Sequence, residues 1–316
     1  MAVSTHLQEF HGLPVFDFPD ATTAVELPAA DRTAWRIAIE AWDSKETWSE
    51  AFARFLAAVE TTAVRALIVG VWGEGDEGSD TVVAELIAAR ESFPALRAIF
   101  LGDIIYEENE ISWIHQCDVT PLLENYPRLE EFGVRGGEDL SFPPVTHQRL
   151  KSLTVETGGL GADVVRGIGA SDFPDLETLD LWLGTSWYGA TATVADLEPF
   201  LSGARLPKLT SLGLCNSEIQ DQIAIAVAAA PVVAQLHTLD LSMGTLGDEG
   251  AEALLTGQPL THLRKLDLHH HFIGPAMLAR LTAALEPAGV VVDLTDAETE
   301  EDEEDSRFRR YTAVAE

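Results

Sequence analysis

The stretch LDLSMGTLGDEGAEALL, residues 239–255, decides the fold of this chain. Its first residues alternate between apolar and polar side chains, as a β-strand with one buried face does. Residues 248–255 instead have the spacing of an amphipathic helix, and a turn containing Gly244 and Gly247 separates the two parts. The stretch is therefore predicted to be one strand-turn-helix unit.

The strand of this unit carries a phrase, Leu-x-x-Leu-x-Leu, that recurs along the chain. Its three apolar positions are occupied by Leu96/Ile99/Leu101, Leu129/Phe132/Val134, Leu150/Leu153/Val155, Leu176/Leu179/Leu181, Leu209/Leu212/Leu214, Leu236/Leu239/Leu241 and Leu263/Leu266/Leu268. A weaker early copy is Val64/Leu67/Val69, and a truncated last copy is Val290, Val292 and Leu294. Successive phrases start 21 to 33 residues apart, and such a phrase at about 20–29 residues is typical of leucine-rich repeats.

Most phrases are followed by residues with helical spacing, for example 80–89, 219–229 and 275–285. This alternation resembles the ribonuclease-inhibitor-like class of leucine-rich repeats. The resemblance implies an α/β solenoid, with a curved parallel sheet on the concave face and helices on the convex face. Residues 113–137 and 181–189 are also similar to an uncharacterised bacterial family of leucine-rich-repeat proteins, which implies relatives but no activity.

The chain departs from the leucine-rich-repeat pattern at the turn after each strand, where the family usually has an Asn. That position is occupied by Ile104, Gly137, Gly158, Gly184, Ser217, Gly244 and His271. Glycine can form such a turn through its free backbone, so we expect a solenoid of irregular curvature.

Three parts are predicted along the chain. Residues 1–60 lack the phrase, but Trp35, Ile37 and Ile39 alternate like a strand and 48–59 have helical spacing, so we expect a cap over the end of the solenoid core. Residues 61–294 are predicted to form a solenoid of about eight or nine units. Residues 295–316 begin with a block of acids and are predicted to be a disordered tail, although Arg307–Tyr311 could also dock on the acidic body or bind a partner.

The charge of the chain limits its partners. There are 52 acidic and 20 basic residues, a formal net charge of −32. Binding of nucleic acid or of anionic membranes depends on Lys and Arg that neutralise phosphates, so both are excluded as expected partners. A protein partner with basic or mixed charge is favoured instead, and the oligomeric state stays open.

The sequence predicts a cytoplasmic protein. The first 18 residues include His6, Glu9 and His11 and so lack the features of a signal peptide. No apolar run reaches the roughly 18 residues of a membrane span. The two cysteines, Cys117 and Cys215, lie far apart and are expected to be reduced thiols.

Binding by a solenoid usually occurs on its concave strands, where alternate residues point outward. Asp180, Asp240 and Asp267 take equivalent positions there and predict an acidic row broken by Gly213, with Trp182 beside it as an aromatic anchor. The candidate protein-binding residues are Glu131, Arg135, Glu156, Asp180, Trp182, Asp240, Asp267 and His269. The alternative is a solvated face without a binding role, because Leu-Asp-Leu is a common sequence in strands of this kind.

Three further features have modest interpretations. Arg135 is expected to pair with Glu131 or Glu156. The aromatic pair Trp187 and Tyr188 is either an exposed anchor or a plug that fills a gap between uneven repeats, and the 33-residue length of this repeat slightly favours the plug. The run His269–His271 invites a metal site, but neighbouring strand residues point to opposite faces and a ligand-spacing pattern is missing, so no metal is predicted. No catalytic motif or cofactor motif was found in the sequence, and no enzyme activity is predicted.

The leading functional prediction is a non-catalytic protein-interaction scaffold with an acidic concave face. A second hypothesis is a regulator of a partner enzyme, similar to leucine-rich-repeat GTPase activators that also have an acidic tail; it would need Arg135 or Asn216. A third is a structural subunit that assembles through its convex helices.

Overall fold

The structure, a computed structural model, describes residues 3–23, 25–300 and 310–316. These residues form an α/β fold with one open sheet of twelve strands, which lie side by side in chain order. The strands are β1 (Glu9–Phe10), β2 (Leu13–Asp17), β3 (Ala34–Ile37), β4 (Ala66–Val69), β5 (Ala98–Leu101), β6 (Glu131–Arg135), β7 (Ser152–Glu156), β8 (Thr178–Gly184), β9 (Ser211–Ser217), β10 (Thr238–Asp240), β11 (Lys265–Asp267) and β12 (Val291–Asp293). Only β1 and β2 are antiparallel, so the fold is solenoid-like, each strand pairing with the one before and the one after it.

Eight α-helices lie within the described ranges. They are α1 (Trp48–Ala58), α2 (Asp80–Ala88), α3 (Thr120–Asn125), α4 (Ala162–Ala170), α5 (Glu198–Leu201), α6 (Gln220–Val227), α7 (Asp248–Thr256) and α8 (Pro275–Leu285). The helices predicted from spacing in four of the repeats and in residues 48–59 are confirmed, with ends that differ by at most two residues. No helix of the described residues is long and apolar enough to cross a membrane.

The central apolar residue of each phrase fixes the register of the sheet. These residues pair directly across nine neighbouring strands: Leu67, Ile99, Phe132, Leu153, Leu179, Leu212, Leu239, Leu266 and Val292. Phe16 and Trp35 extend the same line into β2 and β3. Since a slip of one residue would turn every leucine to the opposite face, the repeated phrase explains the common register.

The main core lies between the sheet and the helices. Apolar residues of α6, α7 and α8, such as Ile223, Leu254 and Leu281, belong to the same buried cluster as the phrase leucines. Near β2 and β3 the core becomes aromatic, with the rings of Trp35 and Phe55 centred 5.5 Å apart. Helix α1 is therefore fastened to the sheet by burial of large rings.

Side chains other than Asn satisfy the backbone at the strand ends. Of the four glycines at the family's Asn position, only Gly184 has a positive φ, +71°. In two other repeats a buried glutamine amide from another position bonds the backbone of a strand. Gln116 Nε2 donates to Arg135 O at 2.7 Å, and Gln220 Nε2 donates to Leu214 O at 2.8 Å. His271 occupies the Asn position itself and lies 3.2 Å from Leu294 O. Glycine turns thus account for less of this solenoid than the sequence predicts.

Both ends of the described chain return to the body. Residues 3–12 lie against the sheet, and Tyr106 N donates to Val3 O at 2.8 Å. Residues 310–316, which fall in the segment predicted to be disordered, are packed: Thr312, Ala313 and Val314 are 5%, 2% and 4% exposed. Apolar side chains in this segment explain the difference, because the acidic composition that predicts disorder belongs to residues before it. Residues 301–309, including Arg307, lie outside the described residues.

Candidate functional site: the strand face

The sheet has a second surface, opposite the helices, that we call the strand face. One line of paired residues crosses it from β2 to β12: Asp17, Arg36, Ile68, Phe100, Gly133, Thr154, Asp180, Gly213, Asp240, Asp267 and Asp293. The line begins with the Asp17–Arg36 ion pair, continues through the apolar residues Ile68 and Phe100, and is acidic in its second half. The two halves are therefore suited to different contacts.

The chain itself covers the first half of the strand face. Ala34, Ala66 and Ala98 pair in register and are fully buried. Their small side chains let residues 7–15 approach, and Phe10 packs edge-on against Phe100 with ring centres 6.0 Å apart. This half is thus closed by an internal contact.

We call the N-terminal residues that lie on the sheet, 3–15, the cover. A buried ion-pair network attaches the cover to the sheet. The Asp103 carboxylate is fully buried and accepts from Arg36 Nη1 at 2.6 Å, from Arg135 Nη1 at 3.2 Å and from Leu7 N at 3.2 Å. His6 Nδ1 lies 3.1 Å from the Asp103 carbonyl oxygen. One carboxylate therefore links the sheet to the N-terminal segment.

The network shifts the pKa of its members. Burial alone would raise the pKa of Asp103, but the hydrogen bond from His6 and the charges of Arg135 and Arg36 outweigh it and lower the pKa. The pKa of His6 is raised to about 9 by its bonds to Asp103 and Glu108. Both groups are therefore held in their charged forms near neutral pH.

Three of the predicted binding residues belong to internal pairs. Arg135 is 3% exposed and its Nε donates to Glu156 at 2.7 Å, which confirms one of its two expected partners. The Glu131 carboxylate pairs with His11, whose Nδ1 atom lies 3.0 Å from Glu131 Oε2. Each of these charges already has a partner of opposite charge within the chain. These residues therefore line the site, and they are less available to pair with a bound molecule.

The acidic half of the strand face brings together the predicted aspartates. Asp180 pairs in register with Gly213, Gly213 with Asp240, and Asp240 with Asp267, so the predicted row exists, with its gap at Gly213. Strands about 4.8 Å apart place the Asp240 and Asp267 carboxylates close together. Asp293 extends the row by one strand. The sequence interpretation missed it, although the truncated last phrase puts it in the equivalent position.

Gly213 leaves room for the Asp180 carboxylate. A Cβ atom at position 213 would lie 2.5 Å from Asp180 Oδ1, closer than real contacts allow. The Asp180 side chain therefore leans over the glycine, and its Oδ1 atom is buried there with no hydrogen-bond partner among the described residues.

The electrostatic environment changes along the row. Burial, together with the charges of Asp240 and Glu156, raises the pKa of Asp180 to about 7. Burial and the charge of Asp267 also raise the pKa of Asp240, against its bond with Ser242. The negative charge at this end of the row is thus poorly compensated.

Asp267 lies in the opposite situation. Burial would raise its pKa, but hydrogen bonds from His269 and Lys265 outweigh that effect and lower it to about 2. Lys265 Nζ is 2.7 Å from Asp267 Oδ2, and His269 Nδ1 is 2.8 Å from Oδ1. Asp267 and His269 therefore form a neutralised pair, unlike Asp180.

A cavity of about 460 Å³ opens beside Asp180, between the cover and the sheet. Phe10 and Phe100 contribute its apolar wall, and Glu131, Glu156 and Asp180 contribute carboxylates. An apolar wall with several carboxylates fits an organic cation better than it fits an anion.

The aromatic residues differ from their predicted roles. Trp182 is only partly exposed and packs with Val314, Ala313 and Met243. Trp187 is 79% exposed, so it does not fill a gap between repeats. This exposure agrees with the other interpretation, an exposed aromatic side chain in the turn after β8.

The three consecutive histidines have separate partners. His269 pairs with Asp267, His270 Nε2 lies 3.0 Å from Tyr311 O, and His271 lies near Leu294 O. Across the described residues, no group of three or more His, Cys, Asp or Glu side chains is arranged to hold a metal ion. Asn216, required by the regulator hypothesis, is fully buried.

Comparison with known proteins gives a structural likeness without an activity. No protein-family model matches the sequence. No curated protein matches it either. The chain is similar to a protein from Bacteroides fragilis whose crystal structure was determined by the Northeast Structural Genomics Consortium, with 29% identity, a TM-score of 0.76, and coverage of 83% of this chain and 72% of that one. The likeness supports the repeat fold over most of the chain.

Proposed function

We propose that this chain is a leucine-rich-repeat solenoid of the ribonuclease-inhibitor-like class that acts as a non-catalytic protein-interaction scaffold. Its acidic strand face would bind a protein partner with basic or mixed charge. The observation that carries the proposal is Asp180, which lines an open cavity and whose Oδ1 atom, buried over Gly213, has no hydrogen-bond partner in the described chain.

A cationic side chain from a partner would complete this site. Buried polar atoms are nearly always hydrogen-bonded, so an unpaired carboxylate oxygen beside a cavity is a favourable place for a donor. An ammonium or guanidinium group there would face Asp180 and Glu156, and its methylene stem would lie along Phe10 and Phe100. Lys and Arg combine these two chemical parts in one side chain.

The repeat class is supported by the register of the phrases and by their alternation with helices. Each phrase supplies one strand of the parallel sheet, and the helices pack on one face only. The two unpaired cysteines, Cys117 and Cys215, fit the further proposal that the protein acts in the cytoplasm, where thiols stay reduced.

The test compares two variants that each replace two acidic residues, on opposite faces. Asp180→Asn with Asp240→Asn neutralises the acidic row, and the matched control neutralises Glu124 and Glu249, exposed acids on helices α3 and α7. Immobilised wild type and both variants are exposed to native lysate at low and at physiological salt. We expect one protein to be retained by the wild type and the control, lost by the row variant, and weakened by salt.

Equal retention by all three chains would contradict the acidic face as the binding site. Retention that is insensitive to salt would contradict the electrostatic mechanism even if the row variant failed to bind.

A further inference from the structure

Residues 310–316, which we call the docked segment, lie in a groove at the carboxyl ends of strands β8 to β11. The groove is formed by Asn216, Met243, His270, Ile111 and Trp182. It is separate from the acidic row, because none of the contacts described below uses Asp180, Asp240 or Asp267.

Three successive repeats bond the backbone of the segment, two of them once and one of them twice. Ala313 N donates to Met243 O at 2.7 Å, and His270 Nε2 lies 3.0 Å from Tyr311 O. Asn216 makes two bonds with Val314: its Nδ2 donates to Val314 O at 2.5 Å and its Oδ1 accepts from Val314 N at 3.0 Å. A side-chain amide that pairs with both polar groups of one residue replaces the bonds that a neighbouring strand would make.

The residues that make these contacts share an uncommon backbone conformation. Asn216, Met243 and His270 stand 27 residues apart and have φ values of +54°, +67° and +51°. Residues other than glycine rarely adopt positive φ, and such conformations concentrate at binding sites. The same uncommon backbone conformation at the equivalent position of three repeats therefore indicates a binding surface for the segment rather than an incidental contact.

The groove fits the side chains and the backbone of the segment. Ala313 and Val314 are buried with Ile111, Trp182 and Met243. Gly158 lets the segment approach, since a Cβ atom there would meet Ala315 O at 2.2 Å. Ser112 Oγ donates to that same carbonyl at 2.5 Å.

The first residue of the segment adds a charged contact at the rim. Arg310 Nη1 lies 2.9 Å from Asp221 Oδ2 and donates to Thr245 O at 3.2 Å. Its guanidinium is 5.9 Å from the centre of the Phe272 ring. The groove thus recognises a basic residue, the polar groups of an irregular backbone that bends at Ala313 and, three and four residues after the basic one, two small apolar side chains.

We propose that this groove is a peptide-binding site whose resident intramolecular ligand is the docked segment. A partner protein that carries a short segment of the same chemistry would compete for it. The covalently attached segment acts at a high effective concentration, so such a partner binds well only after the segment is displaced.

The experiment uses the full chain and a fluorescein-labelled peptide, RYTAVAE, with the sequence of residues 310–316, followed by fluorescence anisotropy. Val314→Asp in the full chain puts a charge in the apolar part of the groove and displaces the attached segment. We expect this chain to bind the peptide at least about tenfold more tightly than the wild type does. Arg310→Ala, a change at the rim, should give a smaller gain.

A second substitution tests the groove itself. Asn216→Gly in the Val314→Asp chain removes both bonds to residue 314, and glycine tolerates the positive φ, so we expect about 10- to 30-fold weaker peptide binding. The matched control is Asp139→Gly, which also replaces a residue of positive φ, +55°, but lies outside the groove and should leave binding unchanged.

Three results would overturn the proposal. One is a Val314→Asp or Arg310→Ala chain that keeps the wild-type circular dichroism spectrum and binds the peptide no better than the wild type. Another is equal binding of a peptide that carries Asp at the Val314 position. The third is a wild-type chain that light scattering shows to be a dimer held together by exchange of this segment between two copies.

Discussion

Asp103 should be one of the most costly residues to replace, and Asp103→Ala is the perturbation we develop in most detail. Its carboxylate is fully buried and holds Arg36 and Arg135 at 2.6 and 3.2 Å. Removal leaves each arginine with one carboxylate, Asp17 for Arg36 and Glu156 for Arg135, and Asp17 is 71% exposed. Arg36, at 8% exposure, therefore loses its only buried counter-charge among the described residues.

Breaking a buried ion pair by removing one partner costs about 3–5 kcal/mol. With an unfolding entropy of about 2.1 cal/mol/K per residue, a chain of 316 residues has about 0.7 kcal/mol/K in total, so we expect Tm to fall by roughly 4–8 °C. Asp103→Asn keeps the shape and an acceptor but removes the charge, and its loss should be smaller.

Calorimetry of the variants at pH 7 gives the Tm, and hydrogen exchange of residues 3–8 reports on the N-terminal cover. The control is Asp139→Asn, which removes a mostly exposed carboxylate paired with His115 at 2.9 Å and should cost about 0–1 kcal/mol. If Asp103→Ala melts within about 1 °C of this control and the exchange of residues 3–8 is unchanged, the network does not fasten the cover.

Three more predictions concern the strand face. Gly213→Ala should destabilise the fold by about 1–3 kcal/mol in denaturant titration, because its Cβ would meet Asp180 Oδ1, and Asp180→Gly in the same chain should restore most of the loss. The charge on His6, whose pKa is raised to about 9 in the folded state, stabilises the cover fully below about pH 6.5, and this stabilisation is lost as pH rises through about 9. Exchange at residues 3–8, corrected for its intrinsic dependence on pH, should therefore lose protection over that window, whereas the His6→Gln chain should show no such loss. The pKa of Asp180 is raised to about 7, so the contribution of Asp180 to stability falls as pH rises from about 4 to about 7; Asp180→Asn should remove that contribution and be about 1–4 kcal/mol more stable than the wild type at pH 8, and a variant with the same pH dependence as the wild type would contradict the assignment.

The sequence by itself determined the repeat, the register and the acidic row. Apolar residues at fixed offsets can be buried together only if every strand aligns in the same way, so Leu179, Leu212 and Leu239 had to pair. The same period put Asp180, Asp240 and Asp267 in one line. These features depend on local spacing, which a sequence shows directly.

Only the tertiary structure decided which of those aspartates is compensated. Asp267 is neutralised by Lys265 and His269, each two positions away in the chain, whereas Asp180 faces a glycine and a cavity lined by Phe10, a residue 170 positions away. Likewise, the link from Asp103 to Leu7 and that from Asn216 to Val314 join residues about a hundred positions apart. Such pairings form because the first and last described residues fold back over the repeats. Each pairing occurs once, so it produces no periodic pattern in the sequence, whereas the strands of the sheet come from a phrase that recurs many times.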